Sequence, residues 1–260
     1  MGTRINTGFP FFIFRVDSGS LGELRVKLSG LSPALSRRWH KLIKHLVYTA
    51  VLVSQRFISM FFSSSELSPA ENYRLLVNGV IPRPIAWISS LSATGVLNLA
   101  PYSFFTVASC TPPVLLYTQV NPRDRQTKDT LSNLQATGEC VVNLVSADLL
   151  EAMNASCADY PPEISEPEAI GLAMSASQQV KVAGVAAAKM RFECRLREII
   201  QIAPTPGAGT MALLDVVGVY IADSHWQSSG VMSAFDAVGK LAGDDYSVSH
   251  ASHRLARPQL

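Results

Sequence analysis

Residues 80–113 read VIPRPIAWISSLSATGVLNLAPYSFFTVASCTPP, and their pattern is the clearest indication of the fold. It opens with Pro-Arg-Pro at residues 82–84 and continues into an apolar run over residues 85–91. The turn sequence Ser-Ala-Thr-Gly at residues 92–95 separates that run from a second one over residues 96–100. Two apolar runs joined by a short turn that contains glycine predict a β-hairpin.

Four further segments have the composition of strands: residues 114–120, 139–145, 187–202 and 210–222. In residues 187–202 apolar side chains alternate with charged ones, and this period of two predicts a half-exposed antiparallel strand. Many antiparallel strands with few helices indicate a mainly β fold, either a barrel or a sandwich with helical decoration.

Short helices are predicted between some of these strands. Residues 66–76 form the first, because Ser68 with Glu71 three residues later makes a capping box and Pro69 suits the first helical position. Residues 127–137 form a second, which Gly138 terminates.

Two other segments follow. Ser146 begins a third helix that ends near residue 154, whereas the Pro- and Glu-rich residues 159–171 are predicted to be a loop, too polar for the core.

The composition describes a folded protein with a distinct leader. The chain has 260 residues, of which 48% are hydrophobic and 16% charged, so it is neither disordered nor low-complexity. Residues 1–64 are predicted to be a basic leader, and residues 65–260 one domain. The four cysteines of the chain, at positions 110, 140, 157 and 194, form no CxxC pair. They indicate reduced, mostly buried thiols and a cytoplasmic protein.

The positive charge of the chain belongs to the leader. Residues 1–60 carry nine Lys and Arg against two Asp and Glu, while residues 61–260 carry 13 against 18. The body therefore has no basic surface for nucleic acid. The apolar run at residues 46–53 is too short to cross a bilayer. The leader is open to three interpretations: an organellar presequence, a basic membrane-surface helix over residues 37–56, or an extension before a working start at Met60, which is favoured.

Several familiar sites are absent from the sequence. It has no dinucleotide-binding GxGxxG after a strand, no P-loop, no HExxH and no GxSxG. The single HxxH, at His250 and His253, has no Cys or carboxylate partner nearby, so no metal site is predicted.

Polar side chains are unusually frequent in residues 80–113. They are Ser89, Ser90, Asn98, Ser103, Thr106 and Ser109. Hydroxyl and backbone donors along adjacent strands suit a polyoxygenated ligand with a planar polar head. The alternative is that these residues occupy solvent-facing strand positions.

A second candidate site lies in RDRQTKDT, residues 123–130, where the helix over residues 127–137 begins. Free backbone N–H groups at a helix N-terminus bind anions, and Lys128, Thr127 and Thr130 add charge and hydroxyls that suit a phosphate. The alternative is a solvated turn whose basic residues pair with Asp124 and Asp129. The local residues do not decide between the two.

The chain resembles the flavin reductase-like, FMN-binding split-barrel family over about residues 66–260. The segments that carry the resemblance are PRPIAWISS (82–90), NLAPYSFFTVAS (98–109), KDTLSNLQATGECVVNLVS (128–146), FECRL (192–196) and GKLAG (239–243) followed by Tyr246. In the last of these the family more often has arginine where this chain has Lys240, and an ammonium cannot reproduce bidentate guanidinium contacts.

The resemblance implies a Greek-key split β-barrel that dimerises and binds FMN in a groove near the subunit interface. It implies no catalytic side chain, because the cofactor carries the chemistry. The cofactor-binding residues that it implies are Ser89 and Ser90 at the ribityl and phosphate end, Asn98, Ala100, Ser103, Phe104, Phe105 and Ser109 along the ring system, and Lys128 and Thr130 at the phosphate.

The implied activity is that of an oxidoreductase of the flavin reductase type. Hydride would pass from NAD(P)H through FMN to free flavin or another small acceptor, and a partner monooxygenase could use the reduced flavin. Because fold alone does not fix function, a split barrel that binds flavin without turnover is the alternative.

Overall fold

The computed structural model describes residues 60–124, 127–227, 235–249 and 255–258. The predictions for residues 1–59, and the HxxH at His250 and His253, lie outside the described residues. Contacts between Cα atoms divide the chain into Met1–Ser63 and Ser64–Leu260, and every element below lies in the second unit.

The described part of the chain is built mainly of strands. In chain order they are β1 (Arg83–Pro84), β2 (Ala86–Leu91), β3 (Leu97–Tyr102), β4 (Phe105–Cys110), β5 (Pro113–Val120), β6 (Glu139–Leu144), β7 (Met174–Ser175), β8 (Gly184–Val185), β9 (Met190–Gln201), β10 (Gly209–Ile221), β11 (Val238–Lys240) and β12 (Tyr246–Val248). The helices are α1 (Pro69–Gly79), α2 (Asp129–Thr137), α3 (Leu150–Ala155) and α4 (Glu166–Ala169).

Seven strands form one antiparallel sheet in the order β3-β2-β6-β9-β10-β5-β4. The sheet curls so that its ends approach each other, and the rings of Tyr102 on β3 and Tyr117 on β5 lie 4.8 Å apart between centroids. The hairpins β2–β3 and β4–β5 lie at opposite ends of the strand order, which gives the non-sequential connections of a Greek-key barrel. The mainly β prediction is confirmed.

The two faces of the sheet bury separate cores. Alternate residues of a strand point to opposite faces, so Ile88 lies inside the barrel with Tyr117, while its neighbour Trp87 packs outside with Leu99. Leu134 of α2 is fully buried in the inner core. This packing holds the first turn of α2 beside β3.

The capping predictions are confirmed. Ser68 precedes α1 and makes both bonds of a capping box with Glu71, and Pro69 is the first helical residue. Gly138 ends α2 with φ of 73°, a left-handed conformation that favours glycine.

Two predictions about exposure are wrong. Glu193 and Arg191 of β9, expected on a solvated face, are both only 7% exposed. The segment between β7 and β8 covers Glu193, because the backbone N–H of Gln178 donates to Glu193 Oε1 at 3.0 Å. Arg191 donates to the Val185 carbonyl of β8 at 3.3 Å and stacks 3.9 Å from the ring centroid of Tyr220 on β10. The loop at residues 159–171 likewise contains the short helix α4, where Glu166 is buried.

The cysteines are free thiols, but only two of the four are buried. Cys140 and Cys194 face each other across β6 and β9 inside the barrel, whereas Cys110 and Cys157 are exposed. The expectation of mostly buried thiols therefore holds for half of them.

Candidate functional site

The start of α2 is open to a ligand. Its N-cap residue, Lys128, makes no side-chain capping bond, so its own side chain leaves the first-turn N–H groups uncapped. The Lys128 carbonyl accepts from Leu131 and Ser132 and thereby begins the helix. The ammonium of Lys128 lies 6.0 Å from the ring centroid of Tyr102 and has no carboxylate partner within the described residues. This combination of charge and free donors suits an anion.

A cavity of about 120 Å³ lies at this helix start. We call it the α2 cleft. Its walls are Asn98, Ala100, Pro101 and Tyr102 from β3, Lys128, Asp129 and Thr130 from α2 and its cap, Ser156, Cys157, Ala158, Asp159 and Tyr160 from the segment after α3, and Glu166 from α4. Ligand clefts usually enclose roughly 300–1,000 Å³, so this one has room for only one end of a cofactor-sized molecule.

Beneath the cleft lies a network of buried polar side chains. Asn98 bonds to Thr130 across 2.9 Å, and its amide nitrogen lies 3.3 Å from Glu166 Oε1 when the oxygen faces the backbone N–H of Leu99. Ser90 accepts from the amide of Asn133 at 3.1 Å. These hydrogen bonds join β3 to α2 below the cleft, and they fix the position of the helix relative to the strand.

Cys157 lines the cleft, and two more ionisable groups, Lys240 and Tyr246, interact with it. Desolvation raises the pKa of the Cys157 thiol, and Lys128 and Lys240 oppose this rise. Lys240 Nζ lies 4.1 Å from the ring centroid of Tyr246. Desolvation also raises the pKa of the Tyr246 hydroxyl, with Cys157 contributing.

A buried arginine connects the turn after β3 to the rest of the fold. Arg83 is 7% exposed and donates to the carbonyls of Val77 at 2.5 Å, Val80 at 2.8 Å and Leu241 at 2.9 Å. Its Nε lies 3.4 Å from Ser103 Oγ. One guanidinium thus joins the end of α1, the segment after β11 and the β3–β4 turn.

Four of the ten residues expected to bind a cofactor line the α2 cleft: Asn98, Ala100, Lys128 and Thr130. Ser103 and Phe104 form the β3–β4 turn next to it, followed by Phe105, and all three are partly buried. Ser109 lies farther along β4, opposite Val114.

The two serines of β2 point in opposite directions. Ser90 faces the cleft network, whereas Ser89 donates to the Ala183 carbonyl at 2.7 Å. Both are fully buried. Adjacent strand residues alternate between faces, so the hydroxyls of Ser89 and Ser90 cannot line the same groove.

Part of the cleft lining was not predicted from the sequence. Asp159, Tyr160 and Glu166 come from residues 159–171, which were expected to be a polar loop, and Cys157 lies just before that segment. The consecutive prolines 161 and 162 are the one local signal of an ordered segment, because each fixes its own backbone φ.

Neither a metal site nor a membrane-spanning helix occurs among the described residues. The described residues contain no group of three or more His, Cys, Asp or Glu side chains arranged to hold a metal ion. Across the same part of the chain, no helix is long and apolar enough to span a lipid bilayer.

Sequence comparison with known proteins matches this chain to one protein family and to a relative of similar length. The family model described as flavin reductase like domain matches residues 78–232. The uncharacterised protein BH2278 of Halalkalibacterium halodurans is 37% identical over 204 residues, which cover 77% of this chain and 98% of that protein.

Two solved structures have the same architecture. Nitrilotriacetate monooxygenase component B from Bacillus cereus is 31% identical with a TM-score of 0.71, and the match covers 75% of this chain and 98% of that one. A protein with a split barrel domain from Shewanella frigidimarina NCIMB 400 has a TM-score of 0.66 and 22% identity, covering 77% of this chain and 100% of its own. At that identity it supports the fold alone.

Proposed function

Because this chain belongs to the flavin reductase-like family of split barrels, we propose that it is an FMN-binding oxidoreductase that uses the α2 cleft to hold the phosphate end of the cofactor. Family membership supports a flavin-related oxidoreductase. The observation that carries the finer proposal is the uncapped start of α2, with Lys128 beside it and Thr130 lining the cleft.

The donors of the cleft fit a flavin phosphate. First-turn N–H groups and the ammonium of Lys128 lie together at the cleft, while the hydroxyl of the buried Thr130 is bonded to Asn98. Lys128 supplies a charge-assisted hydrogen bond, the stronger class of such bonds. Ala100 and Pro101 present little side-chain bulk beside the cleft, and with the turn residues Ser103, Phe104 and Phe105 they would flank the ring system.

The remaining predicted residues have supporting roles in this proposal. Ser90 holds Asn133 and so steadies the helix that carries Lys128. Ser89 and Ser109 would act through the strands on which they lie rather than by side-chain contact with the phosphate.

The chemistry belongs to the cofactor. Held at the α2 cleft, FMN would supply the hydride and electron transfer that links NAD(P)H to free flavin or another small acceptor. The chain's own residues would bind the phosphate, orient the ring system and restrict water at the cleft floor. No side chain is proposed as nucleophile, acid or base.

A homodimer is proposed as the working form. Strand β4 is one end of the seven-stranded order, and its Val107 is 60% exposed. Exposed apolar side chains on a terminal strand favour association with another chain. Light scattering after gel filtration should give twice the monomer mass, and a monomeric mass would contradict this part of the proposal.

The proposal also includes a partner protein and a cellular location. The neighbour from Bacillus cereus is named as component B of a monooxygenase, which supports delivery of reduced flavin to a monooxygenase here. We propose a cytoplasmic location, where NAD(P)H is available.

The decisive experiment measures cofactor and turnover together. Purified protein with added FMN should develop the absorbance of bound flavin, and it should oxidise NADH or NADPH in a flavin-dependent manner. Absence of both results would end the proposal.

Binding without turnover would instead support the alternative, a non-catalytic flavin-binding module. Stopped-flow reduction of the bound flavin by each nicotinamide separates these outcomes, because the module would leave the flavin oxidised.

A further inference from the structure

Glu166 is a buried carboxylate at the floor of the α2 cleft. It is 8% exposed, and its Oε2 accepts a 2.8 Å hydrogen bond from the backbone N–H of Leu99. Leu99 lies on β3, the first strand in the sheet order, so this bond gives its N–H an acceptor that no neighbouring strand supplies there. No lysine or arginine forms an ion pair with Glu166 in the described part of the chain.

The second carboxylate oxygen determines the orientation of a neighbouring amide. The Asn98 side chain satisfies its surroundings when its oxygen accepts from Leu99 N at 3.2 Å and from Thr130 Oγ1 at 2.9 Å. Its nitrogen then donates to Glu166 Oε1 at 3.3 Å. With the amide reversed, two acceptors would face each other, because an ionised carboxylate has no hydrogen to donate.

An amide nitrogen carries two hydrogens. Glu166 takes one of them, and Asn98 itself lines the cleft. We propose that Glu166 is a positioning residue for cofactor recognition, which fixes the Asn98 amide so that its second N–H faces an acceptor atom of the bound flavin. This inference rests on the proposed function and makes it more specific, because it assigns the Asn98 side chain the role of hydrogen-bond donor to the flavin.

The protonation of Glu166 should therefore control flavin affinity. Burial raises the pKa of this carboxyl and nearby Asp129 adds to the effect, while the bond from Leu99 opposes it. The other charged or titratable groups around the cleft are Tyr102, Lys128, Cys157, Asp159 and Tyr160. A protonated Glu166 offers an O–H toward Asn98, which favours the reversed amide and removes the N–H from the ligand.

The test measures affinity rather than turnover. Dissociation constants for FMN and for riboflavin are obtained by fluorescence quenching from pH 5 to pH 8, and riboflavin is included because its affinity cannot depend on phosphate ionisation. In the full-length wild type, both affinities should fall toward pH 5.

Glu166→Gln keeps an oxygen for Leu99 but offers N–H to Asn98. We expect it to weaken both flavins by roughly five- to tenfold at pH 7, and to remove the part of the pH dependence that the two ligands share. Glu168→Gln, at an exposed position on the same helix, should match the wild type.

A double-mutant comparison shows whether the effect passes through Asn98. In an Asn98→Ser background, Glu166→Gln should change riboflavin affinity less than twofold. An equal effect in both backgrounds would overturn the inference. If Glu166→Gln does not fold, the wild-type riboflavin titration decides instead, since an affinity that is constant with pH contradicts it. Wild-type protein that binds no flavin at all would refute the proposed function itself, which is a separate result.

Discussion

Trp87 donates its indole N–H to Ser156 Oγ across 2.9 Å, and both side chains are buried. Trp87 lies on β2, while Ser156 follows α3 and forms part of the cleft wall. The Ser156 hydroxyl donates in turn to the Met153 carbonyl at 2.8 Å. This relay attaches the segment that carries Cys157 and Tyr160 to the outer face of the sheet.

Ser156→Ala should therefore destabilise the protein by about 1–3 kcal/mol, because it leaves a buried indole N–H without an acceptor. Urea denaturation measures the change. In a Trp87→Phe background the same substitution should cost less, since the donor is already gone. Equal costs in the two backgrounds would show that the Trp87–Ser156 bond contributes nothing.

Gly138→Ala should destabilise the chain by about 1–2 kcal/mol. Its φ of 73° is unfavourable for any residue with a Cβ, although the site offers open space. Gly79 is the matched control, because it ends α1 with open space around it and no positive φ. Gly79→Ala should stabilise by up to about 0.5 kcal/mol. Thermal unfolding compares the two, and a loss of similar size at both positions would contradict the backbone explanation.

The two helix ends also show how far local sequence could predict the fold. Ser68, Glu71 and Gly138 act through neighbours within a few residues, so their spacing was sufficient. The short strands β7, β8, β11 and β12 were not predicted, because each is two or three residues long. Such strands are too short to show the alternation by which a strand is recognised.

The site residues could be predicted only where they lie close together in the sequence. Lys128 and Thr130 could be found from the start of a helix. Glu166 could not, because its burial depends on contact with Leu99, 67 positions earlier in the chain. Similarly, the alternation in β9 correctly predicted a strand, but not that a distant segment covers Glu193 and Arg191.

Arg83→Lys should destabilise by about 2–3 kcal/mol, because an ammonium cannot reach the three carbonyls that the guanidinium joins. The carbonyls of Val77, Val80 and Leu241 would compete for fewer donors. Arg74→Lys, at an exposed position of α1, should stay within about 0.5 kcal/mol of the wild type. Urea midpoints that shift equally for both variants would argue against the role of Arg83.

Lys128→Ala should weaken FMN by about 1.5–3 kcal/mol, since it removes a charge-assisted contact with the phosphate. Riboflavin, which has no phosphate, should be nearly unaffected. Lys181→Ala is the control, at an exposed position outside the cleft. Fluorescence titration gives all the affinities. If Lys128→Ala weakens FMN and riboflavin alike, the phosphate does not lie at the start of α2.

Glu166→Gln should change how stability depends on pH in the flavin-free protein. The pKa of Glu166 is raised above its ordinary value of 4.5, chiefly by burial. Between that value and the raised one, the folded chain binds more protons at this carboxyl than the unfolded chain does. The carboxyl's contribution to the free energy of unfolding therefore falls as pH rises through this window, and is lowest once Glu166 is ionised.

The glutamine variant does not ionise, so its stability relative to the wild type should increase as the pH is raised from 4 to 7. Urea midpoints measured at several pH values test this, with Glu168→Gln as the baseline for an exposed position on α4. The amide still offers an oxygen to Leu99, so the comparison chiefly isolates the buried charge. A relative stability that stays constant, or that decreases with rising pH, would mean that burial does not disfavour the Glu166 carboxylate.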